Sequence, residues 1–223
     1  MTDLPERSLL LGTTNKKKAS EMRGLLTPLG FQLFTLADFP EHPEVVETGS
    51  TFMENAHIKA TEQSRHFQMW TIGEDSGLCV PSLDGAPGIY SARFSGPGAT
   101  DATNNTLLLE RMSGIKGTDR NAYYVSTIAL ADPTGKILIQ SDGQCHGRII
   151  EQARGAGGFG YDPLFEVIEY HQTFAELGPT VKGVVSHRAR ALRAFLFQLK
   201  ILLGRGEWPV EDAIRRIPAS SIT

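Results

Sequence analysis

Cysteine is scarce in this chain: Cys79 and Cys145 are its 2 copies among 223 residues. They are too few for a disulfide framework and lack metal-ligand spacing, so a reducing cytoplasm is the expected setting. Charge of one sign is also missing, with 22 Lys and Arg against 25 Asp and Glu and a net charge of -3. No basic field marks a nucleic-acid polymer or an anionic membrane surface as a partner. A small anionic ligand stays open, because it needs only a few local cations or backbone N–H groups. No apolar run is long enough to span a bilayer, no basic segment leads into an apolar run of signal length, and repeats and low-complexity segments are absent. The 40% hydrophobic content suits a globular protein of one large or two small domains.

The most informative stretch is Thr71–Gly96. A short strand leads into Glu74 and Asp75, followed by the turn-prone pair Ser76-Gly77. Neighbouring strand residues face opposite ways, so the two acids share one task only if the backbone turns at Gly77. Acids at a strand end can hold a divalent metal over a phosphate; an ordinary solvated turn has the same composition. A loop with Gly85, Pro87 and Gly88 follows, and the chain reads as extended again over Ile89–Phe94.

Upstream, Ser8–Leu11 reads as a strand and Gly12-Thr13-Thr14-Asn15 as a turn. A helix opens at Lys16-Lys17-Lys18, carries Ala19, Met22, Leu25, Leu26 and Leu29 at helical spacing, and stops at Gly30. A helix start offers N–H groups to an anion, and three lysines there oppose the helix dipole. Lys16 and Lys17 fit a solvated face; Lys18 fits a ligand better. Phe31–Phe34 reads as a strand and 40–43 as a loop. Thr51 and Glu54 form a capping box for a helix whose apolar face is Phe52, Ala56, Ala60 and Phe67, with Asn55 and Lys59 four apart beside it. The cap explains Glu54. Glu47 lies outside the helix and is the freer acid.

Downstream, a helix runs from Thr100 to near Gly114. Ala122–Ala131 and Lys136–Gln140 form a hairpin across Asp132-Pro133-Thr134-Gly135, with His146 at its end. A hairpin inside an alternating strand–helix chain gives a mixed sheet and an α/β fold. The glycine-rich segment Gly155–Pro163 exposes its backbone to close approach, and Phe159 and Tyr161 within it are placed either to stack on a base or to fill the core. Ser186 caps a last helix with an Ala189, Leu192, Leu196, Leu199 and Leu203 stripe, stopped at Gly204; His187 and Arg188 occupy its first turn.

Five segments in this order, TTNKKKASE at 13–21, ETGSTFMENAHIKA at 47–60, EDSGLCVPSLDGAPGIYSARFSG at 74–96, GGFGYDPLF at 157–165 and SHRARAL at 186–192, resemble the inosine triphosphate pyrophosphatase family. Thr14 and Glu74 stand where that family commonly has Gly and Asp. The resemblance implies an elongated mixed sheet flanked by helices, with two lobes and a cleft between them, and usually a homodimer. It implies a catalytic domain over 1–204 with an extension of no assigned role over 205–223. It further implies Mg²⁺-dependent hydrolysis (Mn²⁺ a possible substitute) of ITP, dITP and XTP between the α- and β-phosphates. Asp75 would be general base and metal ligand, with Glu47 and Glu74 as further metal ligands. Thr13, Thr14, Asn15, Lys16, Lys17, Lys18 and Lys182 would hold the triphosphate, Lys59 would stabilise charge, and Ser76 would contact substrate. Phe159, Gly160, Tyr161 and Asp162 would hold base and sugar, and His187 and Arg188 would reach the base edge.

Overall fold

The computed structural model describes residues 7–39 and 41–206, so most of the expected extension, 207–223, lies outside the described residues. Strand β1 (Ser8–Leu11) ends where the sequence puts it, and helix α1 (Lys16–Leu26) follows. A short 3-10 turn, Thr27–Leu29, then closes on Gly30, whose φ of 78° is the left-handed value glycine adopts without strain. Strand β2 (Gln32–Thr35), helix α2 (Phe52–Phe67) and strand β3 (Thr71–Cys79) complete the first part of the chain. After helix α3 (Asp101–Arg111) come strands β4 (Asn121–Ala131), β5 (Ile137–Ile149), β6 (Phe165–Val167) and β7 (Gln172–Thr173). Helices α4 (Phe174–Val185) and α5 (His187–Gly204) close the described chain.

The seven strands lie in the order β2-β1-β3-β4-β5-β6-β7. β1 is parallel to β2 and β3, while β6 is antiparallel to β5 and β7, so the sheet is mixed as expected. The chain divides into two compact units, Met1–Asp75 with Thr127–Asp142 and Ala191–Thr223, and Ser76–Ser126 with Gly143–Arg190. The first has a core in which Leu9, Leu11, Trp70 and Ile72 pack with Leu192, Phe195 and Leu199. The second packs Leu78, Leu108, Tyr124, Phe165 and Phe174 together. Each fully buried large apolar side chain contributes roughly 1.5–3 kcal/mol.

Four expectations need correction. β3 does not turn at Ser76-Gly77: it lies between β1 and β4 in the sheet and continues to Cys79, so strand pairing overrides local turn propensity. Gly88–Arg93 is a 3-10 helix rather than an extended run, closed by the Ser91 hydroxyl donating to the Gly88 carbonyl. β5 does not end at Gln140 but runs to Ile149, with Gly143 and Gly147 in its buried register, so His146 is a strand residue with its side chain out. Finally, α2 buries Asn55, Ala56, Ala60, Gln63 and Ser64 and leaves Phe52 and Phe67 half-buried. The reason is Gly73 on β3: a Cβ there would run into the Ala56 carbonyl and the Ala60 amide, so the helix sits closer to the strand than bulkier residues would allow.

Candidate active site

Because β3 stays extended, Glu74 and Asp75 point to opposite faces and meet different partners. Glu74 is buried and pairs with Lys18 of α1, Nζ to Oε2 2.8 Å. Asp75 takes Lys59 from α2, Nζ to Oδ1 2.8 Å, and its Oδ2 accepts from Asn55 Nδ2 at 3.3 Å. Lys59 also reaches Glu47 Oε1 at 2.7 Å and donates to the Glu74 carbonyl. Asn55 and Lys59 lie one turn apart on α2, which is how a helix puts an amide and an ammonium on one carboxylate. The Asn55 side-chain oxygen also accepts from Gly49 N at 2.9 Å, which fixes the segment carrying Glu47 against the helix. Asn55 is the member of this cluster that the sequence marks only as a neighbour of Lys59.

Burial pushes the Asp75 carboxyl above the ordinary aspartate range, with Lys59 pulling the other way. Burial alone would lower the Lys59 pKa, but Asp75 and Glu47 outweigh it and hold the ammonium charged. Among the described residues no three of His, Cys, Asp or Glu form a ready-made metal cage. Glu47 and Asp75 do converge on one ammonium, so a cation in that place meets two carboxylates. Mg²⁺ is commonly held that way, by one or two carboxylates with phosphate and water oxygens completing the shell, so these residues fit it.

The loop before α1 is less open than its sequence suggests. Asn15 Oδ1 caps the helix by accepting from Lys17 N at 3.0 Å and Lys18 N at 3.2 Å, and Thr13 Oγ1 accepts from Asn15 N. Thr14, Lys16 and Lys17 are exposed, whereas Lys18 turns inward to its acid.

In the second unit, the glycine-rich loop is folded around Asp162. The buried carboxylate takes Lys182 Nζ at 2.6 Å and Phe159 N at 2.9 Å on the same oxygen. Gly158 has a φ of 77° and no room for a Cβ beside Asp162, so this wrap requires glycine. Lys182 sits 4.2 Å from the centre of the half-exposed Phe159 ring, and the Arg188 guanidinium lies 5.9 Å from it. Tyr161, by contrast, is buried in the core and donates its hydroxyl to the Ser91 carbonyl. Gly160 donates to Asp101 Oδ2, and its carbonyl accepts from Asn105 Nδ2. His187 stacks flat on Tyr124, centroids 4.6 Å apart, and Arg188 donates to Ser76 Oγ at 2.9 Å. Lys182 arrives on α4, a helix with no clear sequence pattern, because Gly178 and Pro179 interrupt it at a kink.

The chain as a whole is similar to known proteins. The model of the Ham1 family matches residues 9–198. A dITP/XTP pyrophosphatase of Rhodopirellula baltica is 46% identical over 191 residues, covering 86% of this chain and 92% of the relative. One from an Exiguobacterium strain is 50% identical over 185 residues, 83% of this chain and 93% of the relative. Among solved structures, a HAM1 protein from Coxiella burnetii superposes with a TM-score of 0.79 at 36% identity, over 89% of this chain and 99% of its own. A nucleoside-triphosphatase / dITP/XTP pyrophosphatase from Mycobacterium abscessus gives 0.70 at 42% identity, over 86% of this chain and 99% of that one. With its family model spanning both units and such relatives along most of its length, the chain belongs to the Ham1 family.

Proposed function

We propose that this protein hydrolyses the α–β phosphoanhydride of non-standard purine nucleoside triphosphates (dITP, ITP and XTP), releasing the nucleoside monophosphate and pyrophosphate and so cleansing the nucleotide pool. Its relatives carry the name dITP/XTP pyrophosphatase, and the observation that carries the reading is the buried Asp75 carboxylate held between Lys59 and Asn55. A base must accept the proton of an attacking water near neutral pH, and burial moves the Asp75 pKa in that direction. Lys59, beside it, would stabilise charge developing on the phosphates.

Glu47 and Asp75 would hold Mg²⁺, with Mn²⁺ as a substitute; Glu74, expected as a third ligand, faces the other side of β3 and is paired with Lys18 instead. When bound, such an ion neutralises phosphate charge. Thr13, Thr14, Asn15 and Lys16 to Lys18 would line the phosphates. Phe159 is the aromatic left half-exposed and would stack on the base, while the buried Tyr161 and the Gly160 contacts hold the loop in shape. Lys182, expected on the triphosphate, is bound instead to Asp162 under Phe159, and we assign that pair to the base end. Arg188, next to Ser76, and His187 would read the base edge.

The catalytic domain is taken as 1–204, with no role for 205–223, and the protein as a cytoplasmic homodimer acting on free nucleotides rather than on nucleic acid or membrane. Two buried free thiols and a net charge of -3 are in keeping with this. Phosphorus NMR of the products from dITP and Mg²⁺ tests the bond cleaved. Monophosphate and pyrophosphate in equal amounts are expected; diphosphate and orthophosphate would sink the assignment.

A further inference from the structure

Lys59 does more in this structure than wait for a phosphate. Its ammonium is the shared counter-charge of Glu47 and Asp75, 2.7 and 2.8 Å away, with its side chain 13% exposed and that of Asp75 8%. Two carboxylates brought this close repel each other, and the ammonium between them offsets that repulsion. Glu74 pairs with Lys18, whereas Glu47 and Asp75 both pair with Lys59.

We infer that Lys59 is a stand-in for the divalent cation: it holds the two carboxylates in place when no metal is bound, and it must give them up when one arrives. This rests on the metal reading proposed above. Its consequence is that metal binds by exchange. An entering ion meets preformed carboxylates but displaces an ammonium to use them, so its affinity is lower than the acids alone would give. The displaced Lys59 is then free of acid partners and faces the anionic phosphates. Metal and triphosphate binding are thereby coupled, each favouring the other by the same factor.

Direct binding of Mn²⁺ alone, followed by electron paramagnetic resonance or calorimetry at pH 8 without nucleotide, tests this independently of turnover. Lys59→Met removes the competing ammonium and is expected to tighten Mn²⁺ binding at least about tenfold, since a unit charge at contact distance is worth a decade or more at a partly buried site. Lys59→Arg keeps the charge in a fork that suits carboxylates better, and is expected to bind Mn²⁺ more weakly than the native protein. It also keeps the proposal falsifiable if the methionine variant does not fold. Unchanged or weaker binding in a folded Lys59→Met, or Lys59→Arg binding as tightly as the native chain, would overturn the stand-in. Glu47→Gln separates the two levels. If it leaves native Mn²⁺ binding untouched, the metal reading itself fails and takes the stand-in with it. If it weakens binding while the Lys59 variants change nothing, only the stand-in is lost.

Discussion

Asp75 carries a cost that its neighbours only partly offset. Its raised pKa means the folded chain holds that proton more tightly than the unfolded chain does. The stability this contributes is present at low pH and is lost as pH rises from the unfolded value through the raised folded value. At neutral pH the ionised carboxylate is therefore a net burden on the fold. Asp75→Asn is expected to melt no lower than the native protein at pH 7.5 while losing at least about 10²-fold in turnover. Calorimetry beside a pyrophosphate-release assay checks both halves; a lower melting temperature with retained activity would contradict them. The same sign predicts that kcat/KM falls as pH drops through the raised Asp75 value. Lys59, held above the ordinary lysine value by its two acids, brings no alkaline limb near neutral pH.

Arg188 is proposed to set selectivity. It is a donor at every physiological pH, and it is held against Ser76 Oγ and beside Phe159. Hypoxanthine and xanthine present a keto oxygen at the six-position, an acceptor; adenine presents an amino group. A buried amino group facing donors costs roughly 1–3 kcal/mol, about ten- to a hundredfold. Arg188→Ala should thus lower kcat/KM for ITP far more than for ATP. Equal losses on both would assign the residue to helix capping. Much at this scale is legible in the sequence: Glu47 stands outside the capped helix, and Lys18 and Arg188 are cations set against a helix dipole, although Asp75 reads equally well as part of a solvated turn. Asn55 does not, because a helical asparagine gives no sign that its amide will be buried against a carboxylate on a separate strand. Tyr161 and Phe159 are indistinguishable for the same reason: both are aromatics on one loop, and only packing separates the core ring from the half-exposed one.

Among elements, the α2–β3 contact decides the geometry of the acid cluster. Gly73 lets the helix carrying Asn55 and Lys59 approach the strand carrying Asp75. Gly73→Ala must push them apart, since backbone atoms rather than a flexible side chain stand in the way. A loss of about 1–3 kcal/mol is expected, as for other overpacked sites, together with a fall in activity. Chemical denaturation and turnover on the same preparation check this; an unchanged midpoint would mean the contact is looser than described. Elements bounded by strong punctuation are readable: β1, the start of α1, and α2 with its Thr51–Glu54 box, although α1 itself ends at Leu26 and a 3-10 turn rather than the helix runs to Gly30. Those decided by sheet pairing are not. β3 passes straight through a turn-like Ser-Gly, and β5 passes through two glycines, because neighbouring strands supply what local propensity withholds. α4 hides behind its own Gly178-Pro179 kink.

At the scale of the whole molecule, the mixed sheet follows from alternation plus one hairpin, and both clusters trace to segments that stand far apart in the chain. Glu47, Lys59 and Asp75 belong to one compact unit; Phe159, Asp162, Lys182 and Arg188 belong to the other, which begins at Ser76. The residues proposed for phosphate chemistry thus fall in one unit and those proposed for base recognition in the other. The most direct test is kcat/KM with Mg²⁺ across dITP, ITP, XTP, dATP, dGTP, dCTP and dTTP. The values for dITP, ITP and XTP are expected to exceed that for dATP by about ten- to a hundredfold for each base-edge hydrogen bond that adenine cannot make. Comparable values for the standard nucleotides, or preference for a pyrimidine, would contradict this assignment.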